Sequence, residues 1–586
     1  MINYLRNITV IFLLFGCQHV FSGSASLFNV SATGTPANMN ITLCLNGKGR
    51  VSCQNYNVSA LALNILTTIP NHVYPLAGIK INTPGYLPTG CNMDSNGFCL
   101  FSVSNTTATS IPVISSTCPS QANDLIVFSP SATSLNNPTS GTPNPPQQFS
   151  ISMTMCDSQG KPLIPSTSNP LHVAIYGAPN GAISPTSVTS STGLVTFTYS
   201  GQSFQNNILV NAWINDPTNN GVALGQTQIL QQNALACSYQ SNYYEIPLAQ
   251  SLPDSLEIKA DVGYSTSSPT TTLKTFALDT GSLGVIVPAS ELPNNADVIG
   301  PGPAGVTYYD SSGNTYSGNY YLAPVRIQTD SATVVTQPIM VLAINNAYCS
   351  GPRTATCNMN PPTPNLHYMG VGFNRPGSTP PGSTLQDLIH TPAANAFLHI
   401  TNANNGVDVT PGYILYPSAS SGTAGLRLGI DPSSASNYQT FNLSPNPAVP
   451  GDFLTEYGCY GFTNIAQPAQ FCGTLLLDIG IEEMFINLPR AQWPAGTYDS
   501  NKEVPVISPP INMSIIGGTA NQMYYTFDAV QSCPSSTGPN AVAPCYVQWE
   551  DSTATGIISV NTGRRALFRY HYFYQGQCGQ VGFEQY

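Results

Sequence analysis

Along most of this chain, apolar and polar residues alternate in short runs separated by turn residues. Alternation at every second position predicts half-buried β-strands, and no stretch carries the 3.6-residue period of a long amphipathic helix. Between residues 26 and 118 the runs include Asn40-Ile41-Thr42-Leu43-Cys44, Ala60-Leu61-Ala62-Leu63-Asn64-Ile65-Leu66 and Phe98-Cys99-Leu100-Phe101-Ser102-Val103. They predict a small β-sandwich. Residues 122–233 predict a second one. Asp124-Leu125-Ile126-Val127-Phe128 opens it, a polar stretch at 131–148 follows, and Ile208-Leu209-Val210-Asn211-Ala212-Trp213-Ile214 closes it. From about residue 240 the alternation continues to the end of the chain, so the expected class is all-β.

One stretch departs from plain strand patterning. In Phe276-Ala277-Leu278-Asp279-Thr280-Gly281-Ser282-Leu283-Gly284-Val285-Ile286-Val287 an apolar strand ends in an acid, and a second apolar strand follows a Gly-containing turn. An ionised Asp between buried strands is unfavourable unless hydrogen-bonded or shared. Thr280 and Ser282 are hydroxyl donors placed to satisfy it. The same pattern returns in Thr474-Leu475-Leu476-Leu477-Asp478-Ile479-Gly480-Ile481-Glu482-Glu483-Met484-Phe485-Ile486. Two acids in matching turns suggest a dyad, because like charges held close cannot both ionise and one keeps a proton. One carboxyl then activates water while the other protonates a carbonyl oxygen.

Composition narrows the setting. Charged residues make up 7% of the chain, formal net charge is −11 and the pI is near 4.9, which excludes the clustered Lys and Arg of a nucleic-acid binder. Residues 1–25 read as a signal peptide: Arg6, an apolar core from Ile8 to Gly16, and the small residues Gly23-Ser24-Ala25. Leu14-Phe15-Gly16-Cys17 also matches a lipoprotein site, in which Cys17 would carry a lipid anchor. Such a leader places the chain outside the cell, either secreted or at the cell envelope. The remaining cysteines then favour local disulfides, Cys44 with Cys53, Cys91 with Cys99, Cys349 with Cys357, Cys459 with Cys472 and Cys533 with Cys545. Cys156 with Cys237 would close a longer loop, leaving Cys118 and Cys578 unassigned. The His residues lack ligand spacing and no CxxC pair occurs, so no metal site is expected.

Asp279-Thr280-Gly281-Ser282 with its apolar flanks resembles the first motif of the pepsin-like aspartic proteases. Further landmarks follow in that family's order. Val306-Thr307-Tyr308-Tyr309-Asp310-Ser311-Ser312-Gly313 resembles the flap hairpin, with Tyr308 or Tyr309 leaning over the substrate. Met369-Gly370-Val371-Gly372-Phe373 resembles the strand threaded through the first lobe's loops. Asn561-Thr562-Gly563, Phe568-Arg569-Tyr570 and Gly579-Gln580-Val581-Gly582-Phe583 resemble the closing strands of the second lobe. The resemblance implies a bilobal pepsin-like fold over 240–417 and 418–586, preceded by two β-sandwich modules. It implies Asp279 and Asp478 as catalytic residues, with Thr280, Gly281, Ser282 and Gly480 orienting them. The partner would be an extended polypeptide in the crevice between lobes, and the chemistry requires no cofactor. The second sandwich, with its Asp157-Ser158-Gln159-Gly160-Lys161-Pro162 turn, resembles the immunoglobulin-like modules of bacterial surface proteins such as invasins.

The second motif departs from the family pattern. Ile479 stands where a Thr normally ties the two loops together, and Ile481 stands where a hydroxyl normally donates to the outer carboxylate oxygen. Asp478 is therefore expected to ionise less readily, and Glu482 and Glu483 would add charge that pushes the same way. The implied activity is a secreted endopeptidase. The alternative is a non-catalytic pepsin-like binding or adhesion protein with a degenerate second motif.

Overall fold

The structure is a computed structural model. It describes strand backbones alone between residues 24 and 115, and most of residues 124–586, the longest exceptions being 137–146, 266–272, 358–365, 402–408, 417–424 and 494–511. Residues 1–23, and with them most of the stretch read as a leader, lie outside the described residues, as do Cys17 and Cys118; the first strand, Ser24–Thr33, begins inside that stretch. Strands dominate, and among the described residues helix is confined to Pro432–Ala435 and five 3-10 turns. The all-β expectation therefore holds. Frequent turn residues and period-2 runs leave no segment long enough to bury one helical face.

The strands from Ser24 to Ser115 form a four-stranded and a five-stranded sheet, with the backbones of Cys44 and Cys53 directly opposite each other. The strands from Ile126 to Gln232 form two four-stranded sheets that share a core including Ile126, Ile151, Met153, Val195, Val210 and Ile214. At its Asp157 turn the carboxylate Oδ1 accepts from Gln159 N at 2.9 Å and Lys161 N at 2.6 Å, while Gly160 takes a left-handed φ of 72°. The strand Ile208–Asp216 is buried on both faces. Ile208, Val210, Ala212 and Ile214 face the sandwich core. Leu209 joins the core of the following domain and Asn211 Nδ2 donates to Pro338 O at 2.7 Å. Successive side chains point to opposite sides of a strand, so an unbroken apolar run such as this one serves two cores.

Among the described residues, the rest of the chain builds three sheets. In the nine-stranded sheet, Tyr368–Val371 lies between Lys274–Asp279 and Leu283–Pro288, and the hairpin Ala304–Tyr309 with Asn314–Ala323 forms one edge. In the seven-stranded sheet, Ser559–Asn561 lies between Ala469–Leu476 and Met484–Leu488. A six-stranded sheet joins Tyr244–Pro247, Gly425–Leu428, Gly412–Tyr416, Tyr570–Gln575, Gln580–Gln585 and Gln439–Asn442. The two C-terminal strands, expected to close a second lobe, pair with Gly412–Tyr416, which precedes residue 418, and with Gln439–Asn442, which follows it. One continuous core reaches from Phe276 and Val371 through Tyr413 and Tyr574 to Leu475 and Ile486.

Three local disulfides form as expected, Cys349–Cys357, Cys459–Cys472 and Cys533–Cys545. The long-range expectation is corrected. Cys237 pairs with Cys578, 341 residues away, and Cys156 is disulfide-bonded elsewhere. The cause is the six-stranded sheet, which brings the C-terminal hairpin beside the segment entering the domain; Tyr239 Oη donates to Gln580 Oε1 at 2.5 Å there. These disulfides point to an oxidising, extracellular compartment. Among the described residues no helix is long and apolar enough to cross a membrane.

Candidate active site

Two copies of one local construction build the site. Phe276 and Leu278 anchor one face of the first strand in the core, and the chain then turns back at Gly281. Gly281 N donates to Asp279 Oδ1 at 2.6 Å, and Gly480 N donates to Asp478 Oδ1 at 2.9 Å. Each acid therefore caps its own turn through its inner oxygen. Each turn is threaded by a third strand. Tyr368–Val371 runs parallel to the Asp279 strand, with Asp279 opposite Gly370, and antiparallel to Leu283–Pro288. Ser559–Asn561 runs parallel to Ala469–Leu476, with Leu476 opposite Asn561, and antiparallel to Met484–Leu488. Gly370 is required by this crossing, because a Cβ there would stand 2.6 Å from both Leu283 N and Ser282 Oγ.

The two turns meet face to face. A Cβ on Gly480 would lie 2.6 Å from Asp279 Oδ1, and one on Gly281 would collide with the Asp478 carboxyl. The glycines thus leave room for the opposite acid. Thr280 stitches the turns together: its Oγ1 donates to Leu477 O at 2.5 Å and accepts from Ile479 N at 3.0 Å. Ile479 returns no such bond and is wholly buried in the core.

Both carboxyls are almost fully buried, Asp279 at 4% exposure and Asp478 at 8%. They share a hydrogen bond, and Asp478 is pushed well above the usual carboxylate range. Burial is the largest cause, followed by the charge of Asp279 and the shared bond, while Asn561 and Gly480 N pull the other way. Asn561 Nδ2 donates to Asp478 Oδ2 at 2.7 Å, and Tyr368 Oη donates to Asp279 Oδ2. Burial, then the Asp279 charge, holds the Tyr368 phenol well above its ordinary range, so it remains a donor. Arg375 lies in the field of Asp478, Asp279 and Asp452, with its Nε buried and without a hydrogen-bond partner. Asp452 accepts Asn374 N through both oxygens, at 2.9 and 3.0 Å, and burial pushes it up to about 6.

The sequence-derived residues take distinct places. Asp279, Thr280, Gly281, Asp478 and Gly480 converge. Ser282 is buried beside Gly370 and lies toward Tyr309, and it makes no hydrogen bond to the Asp279 carboxylate. Tyr308 points away: its Oη donates to Asp310 Oδ1 at 3.0 Å. Tyr309 is the hairpin aromatic on the dyad side, edge-on to Tyr368 with ring centroids 5.6 Å apart. Glu482 does not load charge onto Asp478, because it pairs with Arg564 at 2.6 Å, and Glu483 Oε2 accepts Glu482 N. Sequence reasoning missed Tyr368, Asn561 and Arg375. The first two sit beside or within stretches the sequence singled out for other reasons, one residue before the strand expected to thread the first lobe and at the head of Asn561-Thr562-Gly563, expected among the closing strands of the second. The available signal was a hydrogen-bonding side chain two residues before a glycine in each of these strands, Tyr368 before Gly370 and Asn561 before Gly563.

No protein-family model matches the chain, and no curated protein matches it. Among solved structures, it is similar to the aspartic proteinase from Irpex lacteus, at 15% identity over 59% of this chain and 97% of that one, with a TM-score of 0.38.

Proposed function

We propose that this chain is an exported aspartic endopeptidase whose catalytic pair is Asp279 and Asp478. The observation that carries the reading is the pair of buried carboxyls that two matched turns bring into one hydrogen bond, with Asp478 pushed well above the usual carboxylate range by burial first and by the charge of Asp279 second. A shared proton between two matched turns is the arrangement acid–base hydrolysis needs. Asp279, which accepts from Gly281 N and Tyr368, carries the negative charge. It takes a proton from water as the oxygen attacks the peptide carbonyl, and Asp478 gives its proton to the carbonyl oxygen. The tetrahedral intermediate collapses as Asp478 takes back a hydroxyl proton, the C–N bond breaks and Asp279 gives its proton to the departing nitrogen, which leaves the pair again with one proton on Asp478. Tyr309, beside Tyr368, would close over an extended peptide lying between the two turn-bearing halves as an added strand.

The second reading, a groove that binds without cleaving, is favoured by one observation. Ile479 is committed to the core, so only the Thr280 side chain, and not its counterpart in the second turn, ties the turns through backbone groups. Proteolysis of a denatured protein between about pH 3 and 7, the range over which a coupled carboxyl pair titrates, separates the two. Loss of cleavage in both Asp279→Asn and Asp478→Asn is the expected result. Cleavage that survives in either variant, or none by folded wild type, refutes the protease reading.

A further inference from the structure

The outer oxygens of the two acids are held in matching ways by residues to which the sequence alone gave no site role. Tyr368 Oη donates to Asp279 Oδ2, and Asn561 Nδ2 donates to Asp478 Oδ2. Their positions are equivalent. Tyr368 lies opposite Ala277, two residues before the acid in the first sheet, and Asn561 lies opposite Leu476, two residues before the acid in the second. Each strand runs parallel to its acid's strand. Each donor also precedes by two residues the glycine at its crossing, Gly370 or Gly563. Asn561 is itself held, since its Oδ1 accepts Gly563 N at 3.1 Å and so aims the amide N–H toward Asp478.

We infer that Tyr368 and Asn561 are the positioning pair of this dyad, each threaded strand fixing the outer oxygen of the acid beside it. Neither touches the scissile bond; each acts through its carboxyl. The pairing explains how the second turn functions with Ile481 in place of a hydroxyl, since the amide of Asn561 takes that oxygen from the other side. It also leaves Ser282 without a role at the Asp279 carboxylate, because the phenol is already there. The donors differ in chemistry. A hydrogen bond to an anion favours the anion, so Tyr368 favours ionised Asp279 and Asn561 limits how firmly Asp478 keeps its proton. The other charged and titratable groups facing Asp478 are Asp279, Tyr368 and Arg375.

The inference rests on the protease reading for its activity readout. The test measures kcat/KM against pH for the full-length wild type, Tyr368→Phe and Asn561→Leu. Tyr368→Phe is expected to move the acid limb of the profile upward, because ionised Asp279 loses a donor. Asn561→Leu is expected to move the basic limb upward, because Asp478 holds its proton to higher pH. A hydrogen bond to a charged group corresponds to a displacement of about one to two pH units. Because Asn561→Leu also frees Gly563 N, Asn561→Asp serves as a second variant that keeps that acceptor while losing both donors; its basic limb is expected to rise as well. Limbs that stay in place while thermal stability falls would show a merely structural role and overturn the inference. If the wild type cleaves nothing, carbon-13 NMR titration of the aspartate carboxyls, assigned with Asp279→Asn and Asp478→Asn, reads the same displacement directly. A raised Asp478 titration in Asn561→Leu would then sustain the positioning pair while the protease reading fails, and an unchanged one would overturn the pair too.

Discussion

Thr280 is the residue on which the two halves of the site depend, and Thr280→Val tests this. Valine keeps the shape of threonine and removes only the hydroxyl. In the structure that hydroxyl serves two buried backbone groups of the opposite turn, Leu477 O at 2.5 Å and Ile479 N at 3.0 Å. Each buried group left unsatisfied costs about 1–3 kcal/mol, so the substitution is expected to cost roughly 2–6 kcal/mol. Ile479 supplies no reciprocal stitch, because it has no hydrogen-bonding side chain and is fully buried. For a cooperative unit of about 345 residues with an unfolding entropy near 2.1 cal/mol/K per residue, the thermal midpoint should fall by roughly 3–8 °C. Cleavage should fall at least about tenfold, since the two carboxyls lose the tie that holds their separation. Thr280→Ser keeps the hydroxyl and removes one methyl, a loss of about 1 kcal/mol, and should stay close to wild type in both measurements. The assays are a calorimetric or fluorescence melt and kcat/KM on one peptide substrate. Equal losses in the Val and Ser variants would show that packing, not the stitch, holds the turns together, and an unchanged Val variant would show that the turns need no tie.

Gly480→Ala places a Cβ 2.6 Å from Asp279 Oδ1; steady-state kinetics should show kcat falling by about 10²-fold, as for a carboxyl displaced by about 1 Å, with the melt lowered far less. Ile481→Thr should leave kcat/KM within about threefold of wild type, because Asn561 already occupies the outer oxygen of Asp478 at 2.7 Å; a gain larger than tenfold would mean the natural site lacks a donor. Asp452 has a folded-state value of about 6, above the usual 3.8 because of burial, so its carboxylate costs stability above pH 6 and that cost disappears as pH falls through 6 toward 4. Melts of wild type and Asp452→Asn should therefore converge or cross in favour of wild type between pH 7 and 4, by up to about 3 kcal/mol. Leu224 of the second sandwich packs in one core cluster with Ile286, Tyr320 and Leu342 of the nine-stranded sheet, so Leu224→Ala should cost about 2–5 kcal/mol and lower the thermal midpoint; an unchanged melt would show that this contact is not structural.

Tyr308 and Tyr309 illustrate where local reading stops. Both are apolar-faced residues of one strand, and neighbours on a strand point to opposite sides. The pattern therefore establishes that one of them faces the dyad and the other does not. Which one depends on the face the hairpin turns toward Tyr368, and that is set by its pairing with Asn314–Ala323 and the rest of the sheet. The same division runs through the whole protein. Strand content, the Gly281 and Gly480 turns and the position of both acids are properties of a few adjacent residues, expressed as period-2 alternation and as backbone freedom at one glycine, and so they are present in the sequence itself. The donors Tyr368 and Asn561, 89 and 83 residues from their acids, and the Cys237–Cys578 bond depend on which strands become neighbours. That choice is made by the burial of the whole core, a sum over many weak contacts that no single stretch encodes, and only the tertiary structure decides it.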